Sequence, residues 1–267
     1  MVIDELWSQR DAERLSAFEL AVALDDLPGG LFAIEGISKE RAAEGVALLE
    51  GWAALVRARL GQQASPREQA IVLGELLGGE LGFRLDEGGR PDGVRLYGVL
   101  TRRKGRPTIL TAIWLEVARR AGLAAQAKAF GGRLLVEIGE ESPVLVDPAA
   151  GGRLVEPVDA IGGGRGAPHS VSIEDLFAGT LDFLAHAHMR RGDPVSAFRA
   201  VSLRCALVSQ APLACLQRAM LAEQLGAIGF AAELYEQLTQ RFPGTEVSLA
   251  AASKLNMVRA RGPLLLQ

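Results

Sequence analysis

Apolar residues recur three or four positions apart along 39–60, where Val46, Leu49, Trp52 and Val56 fall on one face, which predicts an amphipathic helix. Gly61 suits its stop, and Ser65-Pro66 followed by Glu68 reads as the next helix start, with proline at the first helical position. Ile71, Val72, Leu73, Leu76 and Leu77 carry that helix to an expected end at Gly78-Gly79. Residues 1–80 therefore read as helical.

The pattern changes after Leu81. Asp86-Glu87-Gly88-Gly89 and Arg90-Pro91-Asp92-Gly93 are turn chemistry. Pro107 then opens a helix that places Leu110, Ile113, Trp114 and Val117 on one side. It closes with Arg119, Arg120 and Gly122, the cations and glycine favoured at a helix C-terminus. Three short extended segments follow, 124–130, 133–138 and 144–147, with a hairpin turn expected over Gly139–Ser142. A helix followed by antiparallel strands predicts an α+β core. Residues 149–169 are rich in Gly and Pro. Gly162-Gly163-Gly164 before Arg165 lacks the Gly-Lys-Ser/Thr ending of a nucleotide loop, so it reads as a linker or surface loop.

The last third repeats. A shift of 34 residues superposes Ala185 on Ala219, Gly192 on Gly226, Ala197 on Ala231 and Val201 on Tyr235. Small residues that let paired helices approach, with glycine at the turn between them, make a tetratricopeptide-like pattern. The second copy is the fuller one, because Pro243 stands where that pattern places a helix-stopping proline. Two domains are expected, residues 1–170 and 171–267.

Composition narrows the classes. Hydrophobic residues are 49% of the chain and aromatic residues only 5%, so the cores should be mainly aliphatic. A formal net charge of -3 gives no global attraction to nucleic acid or anionic membrane. The one basic run is Arg102, Arg103, Lys104 and Arg106, read as a solvated loop beside a helix. No signal pattern opens the chain and no run of about 18 uncharged apolar residues exists, which makes a cytoplasmic, non-membrane protein the expectation. Cys205 and Cys215 stand among Ala, Leu and Val and read as buried small hydrophobes. Of the three histidines, His186 and His188 are two apart in a helical stretch and cannot chelate together, so no metal site and no cofactor are expected. His169-Ser170, with Asp159 and Glu174 nearby in sequence, reads as chance proximity and not as a triad.

Several segments occur in one order: Leu81-Gly82-Phe83-Arg84, Arg102-Arg103-Lys104-Gly105 with Pro107, Leu115 to Leu123, Phe130 to Val136, and Leu145-Val146-Asp147-Pro148 with Gly151-Gly152. This series resembles the SirB-type, transglutaminase-like proteins of bacteria. The resemblance implies a helical N-terminal region, a small transglutaminase-like (papain-like) core of helix plus antiparallel sheet, and C-terminal all-α tetratricopeptide-like repeats. It also implies a Cys–His–Asp arrangement. In that chemistry a thiolate at a helix N-terminus attacks an amide carbonyl, a histidine relays the proton, and an aspartate fixes the histidine tautomer.

This chain departs from that pattern at two of the three positions. The helix begins Gly105-Arg106-Pro107-Thr108 with no cysteine, and Arg133 stands where the resemblance places the histidine; only the aspartate persists, as Asp147. A guanidinium stays protonated at physiological pH and cannot be a general base. Thr108 has a hydroxyl near the nucleophile position, but without a base its simpler role is helix N-capping. Pro107, Thr108, Arg133 and Asp147 thus mark a vestigial site, with an ion pair expected between Arg133 and Asp147. The function expected is a non-catalytic interaction or regulatory module that takes a protein partner in the groove of the repeats. The alternative is a hydrolase or amidase with non-cysteine chemistry at the same cleft, using Thr108, Asp147 or a loop group.

Overall fold

In the computed structural model, residues 7–155, 167–207 and 212–261 are described. Four helices come first: α1 (Gln9–Ala23), α2 (Leu27–Glu35), α3 (Lys39–Arg59) and α4 (Pro66–Gly74). Ser65 and Glu68 cap α4 reciprocally, so the start signal read from Ser65-Pro66 is formed. The helical stretch ends one residue past the expected stop at Gly78-Gly79, but its last turn, Glu75–Glu80, is π-helical: Leu81 N–H donates to Leu76 O five residues back at 2.9 Å. The reason lies in tertiary contact. A Cβ on Gly74 would lie 2.8 Å from Gly152 O and one on Gly78 would lie 1.8 Å from Gly151 O, so both positions admit a neighbouring backbone that no side chain would.

Beyond this turn come β1 (Arg84–Leu85), a 3-10 turn (Pro91–Val94), α5 (Leu96–Arg102), β2 (Lys104–Gly105) and α6 (Pro107–Arg120). The sequence pattern shows the turns here but not α5, whose seven residues span only two helical turns. Glu35, at the end of α2, accepts from Tyr97 N–H at 2.7 Å and Gly98 N–H at 3.3 Å, satisfying the first donors of α5. β1 and β2 pair in parallel. The expected apolar side of α6 is buried, and Ile109, Leu115 and Ala118 are buried with it, so this helix is enclosed and not merely packed on one face. Trp52, Phe83 and Trp114 meet edge to face beside it, with ring centroids 5.5 and 5.7 Å apart.

The three extended segments are strands β3 (Ala125–Phe130), β4 (Arg133–Ile138) and β5 (Val144–Asp147). A second 3-10 turn (Pro148–Ala150) leads to β6 (Arg153–Val155), and β7 (His169–Val171) follows later. They form one antiparallel sheet in the order β6-β5-β4-β3-β7, which establishes the α+β class. β6 and β7 lie at the ends of the stretch read as loop. Three-residue edge strands carry too little periodicity to be seen in sequence. Gly162-Gly163-Gly164, Arg165 and Asp159 lie outside the described residues.

The remaining helices are α7 (Ile173–Arg190), α8 (Pro194–Leu207), α9 (Pro212–Gln224), α10 (Ile228–Arg241) and α11 (Glu246–Arg261). The chain folds as two compact units, residues 21–180 and residues 1–20 with 181–267. In the second unit, Trp7 meets Phe198 edge to face and Arg199 Nε lies 3.3 Å from Asp11 Oδ1, which fastens the N-terminal segment to α8. The superposed columns behave alike in both copies. Ala185, Ala219, Ala197, Ala231, Val201 and Tyr235 are all buried, while Gly192 and Gly226 have φ of 70° and 79°, the left-handed conformation that glycine accepts after a helix.

Candidate functional site

The N-terminus of α6 is held from behind. Arg106 N–H donates to Gly93 O at 2.7 Å, and Arg106 Nη1 donates to Asp86 O at 3.1 Å. The N-cap is Arg106, whose φ and ψ of -73° and 159° are extended, and Pro107 is the first helical residue. Thr108 therefore does not cap the helix. It is already inside the first turn, with its methyl group facing Gly179 of α7. Its hydroxyl makes no hydrogen bond among the described residues.

Arg133 opens β4 and Asp147 closes β5. With Val136 opposite Val146, the two lie diagonally across the hairpin, and the expected ion pair forms: Arg133 Nη1 to Asp147 Oδ2 is 3.2 Å. It is a single contact and not a two-pronged one. The partners differ in setting, since the Arg133 side chain is 40% exposed and that of Asp147 only 5%. Asp147 Oδ1 accepts from Ala149 N–H at 3.0 Å and Ala150 N–H at 3.2 Å, and Asp147 O accepts from Gly152 N–H at 2.9 Å. Asp147 is the N-cap of the 3-10 turn that carries the chain to Gly151 and Gly152. Both carboxylate oxygens thus have partners, one in an ion pair and one in a backbone cap. No hydrogen bond joins Thr108 to Arg133 or Asp147 among the described residues. The helix terminus and the sheet pair lie in one unit without acting as a hydrogen-bonded constellation.

Arg102 and Lys104 of the basic run are exposed as expected, whereas Arg103 is not a solvated loop residue. Arg103 caps α5 in the left-handed conformation, φ 61°, and its guanidinium lies over Trp52 at 4.4 Å and Phe83 at 4.9 Å. Arg102 donates to Asp92 O at 2.7 Å, and Lys104 belongs to β2. His169 and Ser170 are adjacent on β7 and so point to opposite faces of the sheet, which rules out a triad between them. His186 Nδ1 lies 2.9 Å from Asp182 O, and His188 Nδ1 lies 3.1 Å from Asp193 Oδ2, two separate local contacts. No group of three or more metal-ligating side chains converges among the described residues.

The sequence reading puts Cys205 and Cys215 in the core, yet both are half-buried and line one pocket with Arg218. Their ten-residue spacing is visible in the sequence. That one lies near the end of α8 and the other in the first turn of α9, with both thiols on one pocket, is not.

Residues 44–162 match the transglutaminase-like superfamily. No curated protein matches the chain. A crystal structure of menin, described as revealing the binding site for Mixed Lineage Leukemia (MLL) protein, is similar over 94% of this chain and 70% of that one, at 10% identity and a TM-score of 0.45. The matched segment runs from within α3 through the whole α6–β5 region that holds Thr108, Arg133 and Asp147, and over residues 44–162 the chain carries a transglutaminase-like superfamily domain.

Proposed function

We propose that this domain is non-catalytic and that the chain is a cytoplasmic interaction or regulatory module of the bacterial SirB type, taking a protein partner on its C-terminal tetratricopeptide-like helices. The observation that carries the proposal is the state of Asp147. An aspartate that orients a catalytic histidine needs a free acceptor toward the imidazole. Here one oxygen faces a permanent cation and the other caps the turn after β5. No residue at the start of α6 supplies a thiol, and the Thr108 hydroxyl makes no hydrogen bond among the described residues. No described helix is long and apolar enough to cross a membrane.

The partner surface is supported by a groove in the helical unit. Met189 of α7, Met220 of α9 and Ile228 of α10 line a cavity of about 520 Å³ bordered by Gln217, Glu223 and Lys254. Met189 and Met220 remain 37% and 45% exposed. Flexible, polarizable thioethers at a surface groove suit an apolar peptide or helix face.

The test has two arms. Purified full-length protein should release no ammonia from glutamine-containing peptides, with or without an amine acceptor. Met220→Asp should abolish capture of the partner from native-host lysate, while Arg133→Ala should leave capture intact. Ammonia release lost on Thr108→Ala would overturn the proposal in favour of an amidase.

A further inference from the structure

Cys205 lies near the end of α8 and Cys215 in the first turn of α9, and both open onto a pocket of about 190 Å³ with Arg218, Arg241, Glu19 and Leu234. The setting of Arg218 is unusual. Its guanidinium is buried among the rings of Trp7, Phe198 and Phe230, at 5.9, 5.7 and 5.6 Å from their centroids. Nε of Arg218 has no hydrogen-bond partner among the described residues. Ring faces attract the cation but do not neutralise it, and its partial burial disfavours the charge. An anion in this pocket would relieve that cost. Cys215, three residues before Arg218 on the same helix face, carries a group able to become one.

We propose that Cys205 and Cys215 form a peroxide-sensitive dithiol, with Cys215 the attacking thiolate and Cys205 the resolving thiol. The electrostatics agree. Cys215 is lowered to about 7 from an ordinary value of 9.0, chiefly because the Cys205 thiol donates to it, with Arg241, Arg218 and Arg204 adding to the effect against the opposing cost of burial. Cys205 is raised, first by that same interaction and then by burial. Glu19, from α1, is the acidic side chain lining the pocket. One thiol is thus set to ionise and its neighbour to stay protonated, as a sensor with an adjacent resolving cysteine requires.

The reaction balances. The Cys215 thiolate attacks one peroxide oxygen, the O–O bond breaks, and the departing hydroxide takes a proton to leave as water. The product is a sulfenic acid on Cys215. Cys205 sulfur then attacks that sulfur, the S–O bond breaks, and the hydroxide leaves with the Cys205 proton as a second water. Two thiols and one hydrogen peroxide become one disulfide and two waters, so the peroxide is the oxidant throughout. The disulfide would tie the end of α8 to the start of α9.

The experiment uses the full-length chain and hydrogen peroxide. Peptide mapping without reductant should show a Cys205–Cys215 link within one chain. Cys205→Ser should instead accumulate a sulfenic acid on Cys215 that a cyclic 1,3-dione traps. In the untreated protein, alkylation of Cys215 should have a pH midpoint near 7. Its rate at neutral pH should exceed that of a free cysteine by about three- to tenfold, because the larger thiolate fraction outweighs the lower intrinsic nucleophilicity. Arg218→Met should move the midpoint upward. A midpoint at the free-thiol value of about 8.5, or links formed only between chains, would overturn the proposal. The alkylation profile of the unmodified chain decides the matter even if a variant fails to fold.

Discussion

Arg133 Nη1 meets Asp147 Oδ2 at 3.2 Å across the β4–β5 hairpin, but the two residues do not carry equal weight. The arginine is partly in water, where an ion pair adds little. The aspartate is buried and also satisfies two backbone N–H groups that would otherwise be orphaned. Arg133→Ala should therefore cost less than about 1 kcal/mol. Asp147→Ala should cost about 1–2 kcal/mol, from loss of the cap on the Ala149 and Ala150 N–H groups. Urea denaturation of both variants checks this. Equal costs would mean that the ion pair, and not the backbone cap, is what Asp147 supplies.

Gly78 and Gly79 stand side by side in the π-helical turn yet should respond oppositely to alanine. A Cβ at Gly78 would fall 1.8 Å from Gly151 O, whereas at Gly79 nothing lies within 4 Å. Gly78→Ala must push the Pro148–Gly152 segment away and should destabilise by about 2–3 kcal/mol. Gly79→Ala only restricts the unfolded chain and should stabilise by about 0.5–1 kcal/mol. Thermal melts of the two variants should shift in opposite directions.

The same glycines show where a sequence stops being legible. The limits of α6 can be read because its signals are local: Pro107 at the start, Arg119 and Arg120 in the last turn, Gly122 after it. The π-helical turn after α4 cannot, since Gly78 marks only a helix stop by local rules and here admits the backbone of a residue 73 positions away. Arg103 is a similar case. It looks solvated, like Arg102 and Lys104 beside it, until Trp52 and Phe83 are known to lie beneath its guanidinium. For the candidate site, the sequence alone shows that no cysteine stands at the start of α6 and that Arg133 and Asp147 flank the expected hairpin. That Asp147 caps its own turn needs coordinates, because an aspartate before proline has the same letters whether it orients a histidine or holds a backbone.

Glu35 gives a pH dependence with a definite sign. Burial raises its carboxyl above the ordinary 4.5, against the lowering by the Tyr97 and Gly98 N–H groups and by Arg95 and Arg102. The folded state therefore holds this proton more tightly than the unfolded state does. The associated stability is fully present below 4.5 and is lost as pH rises through the higher folded value. Relative to Glu35→Gln, the wild-type chain should be at its most stable below pH 4.5 and should lose ground as pH rises above it. Urea midpoints across that range test the sign, and a wild-type advantage that grows with pH would contradict it.

Tyr235 ties three successive helices together. Its hydroxyl donates to Glu223 Oε2 at 2.8 Å, and Lys254 Nζ reaches the same oxygen at 3.2 Å, so α10, α9 and α11 meet at one carboxylate. The tyrosine ring is fully buried, while the Lys254 side chain is 34% exposed. Tyr235→Phe keeps the ring and removes one hydrogen bond to a charged acceptor, which should cost about 1.5–3 kcal/mol. Lys254→Met removes a partly solvated partner and should cost less than about 1 kcal/mol. Both changes act on one oxygen, so the double variant should depart from the sum of the singles by about 0.5 kcal/mol or more. Strict additivity in a double-mutant cycle would mean that the three helices are held by packing around the Tyr235 ring and that the carboxylate is incidental.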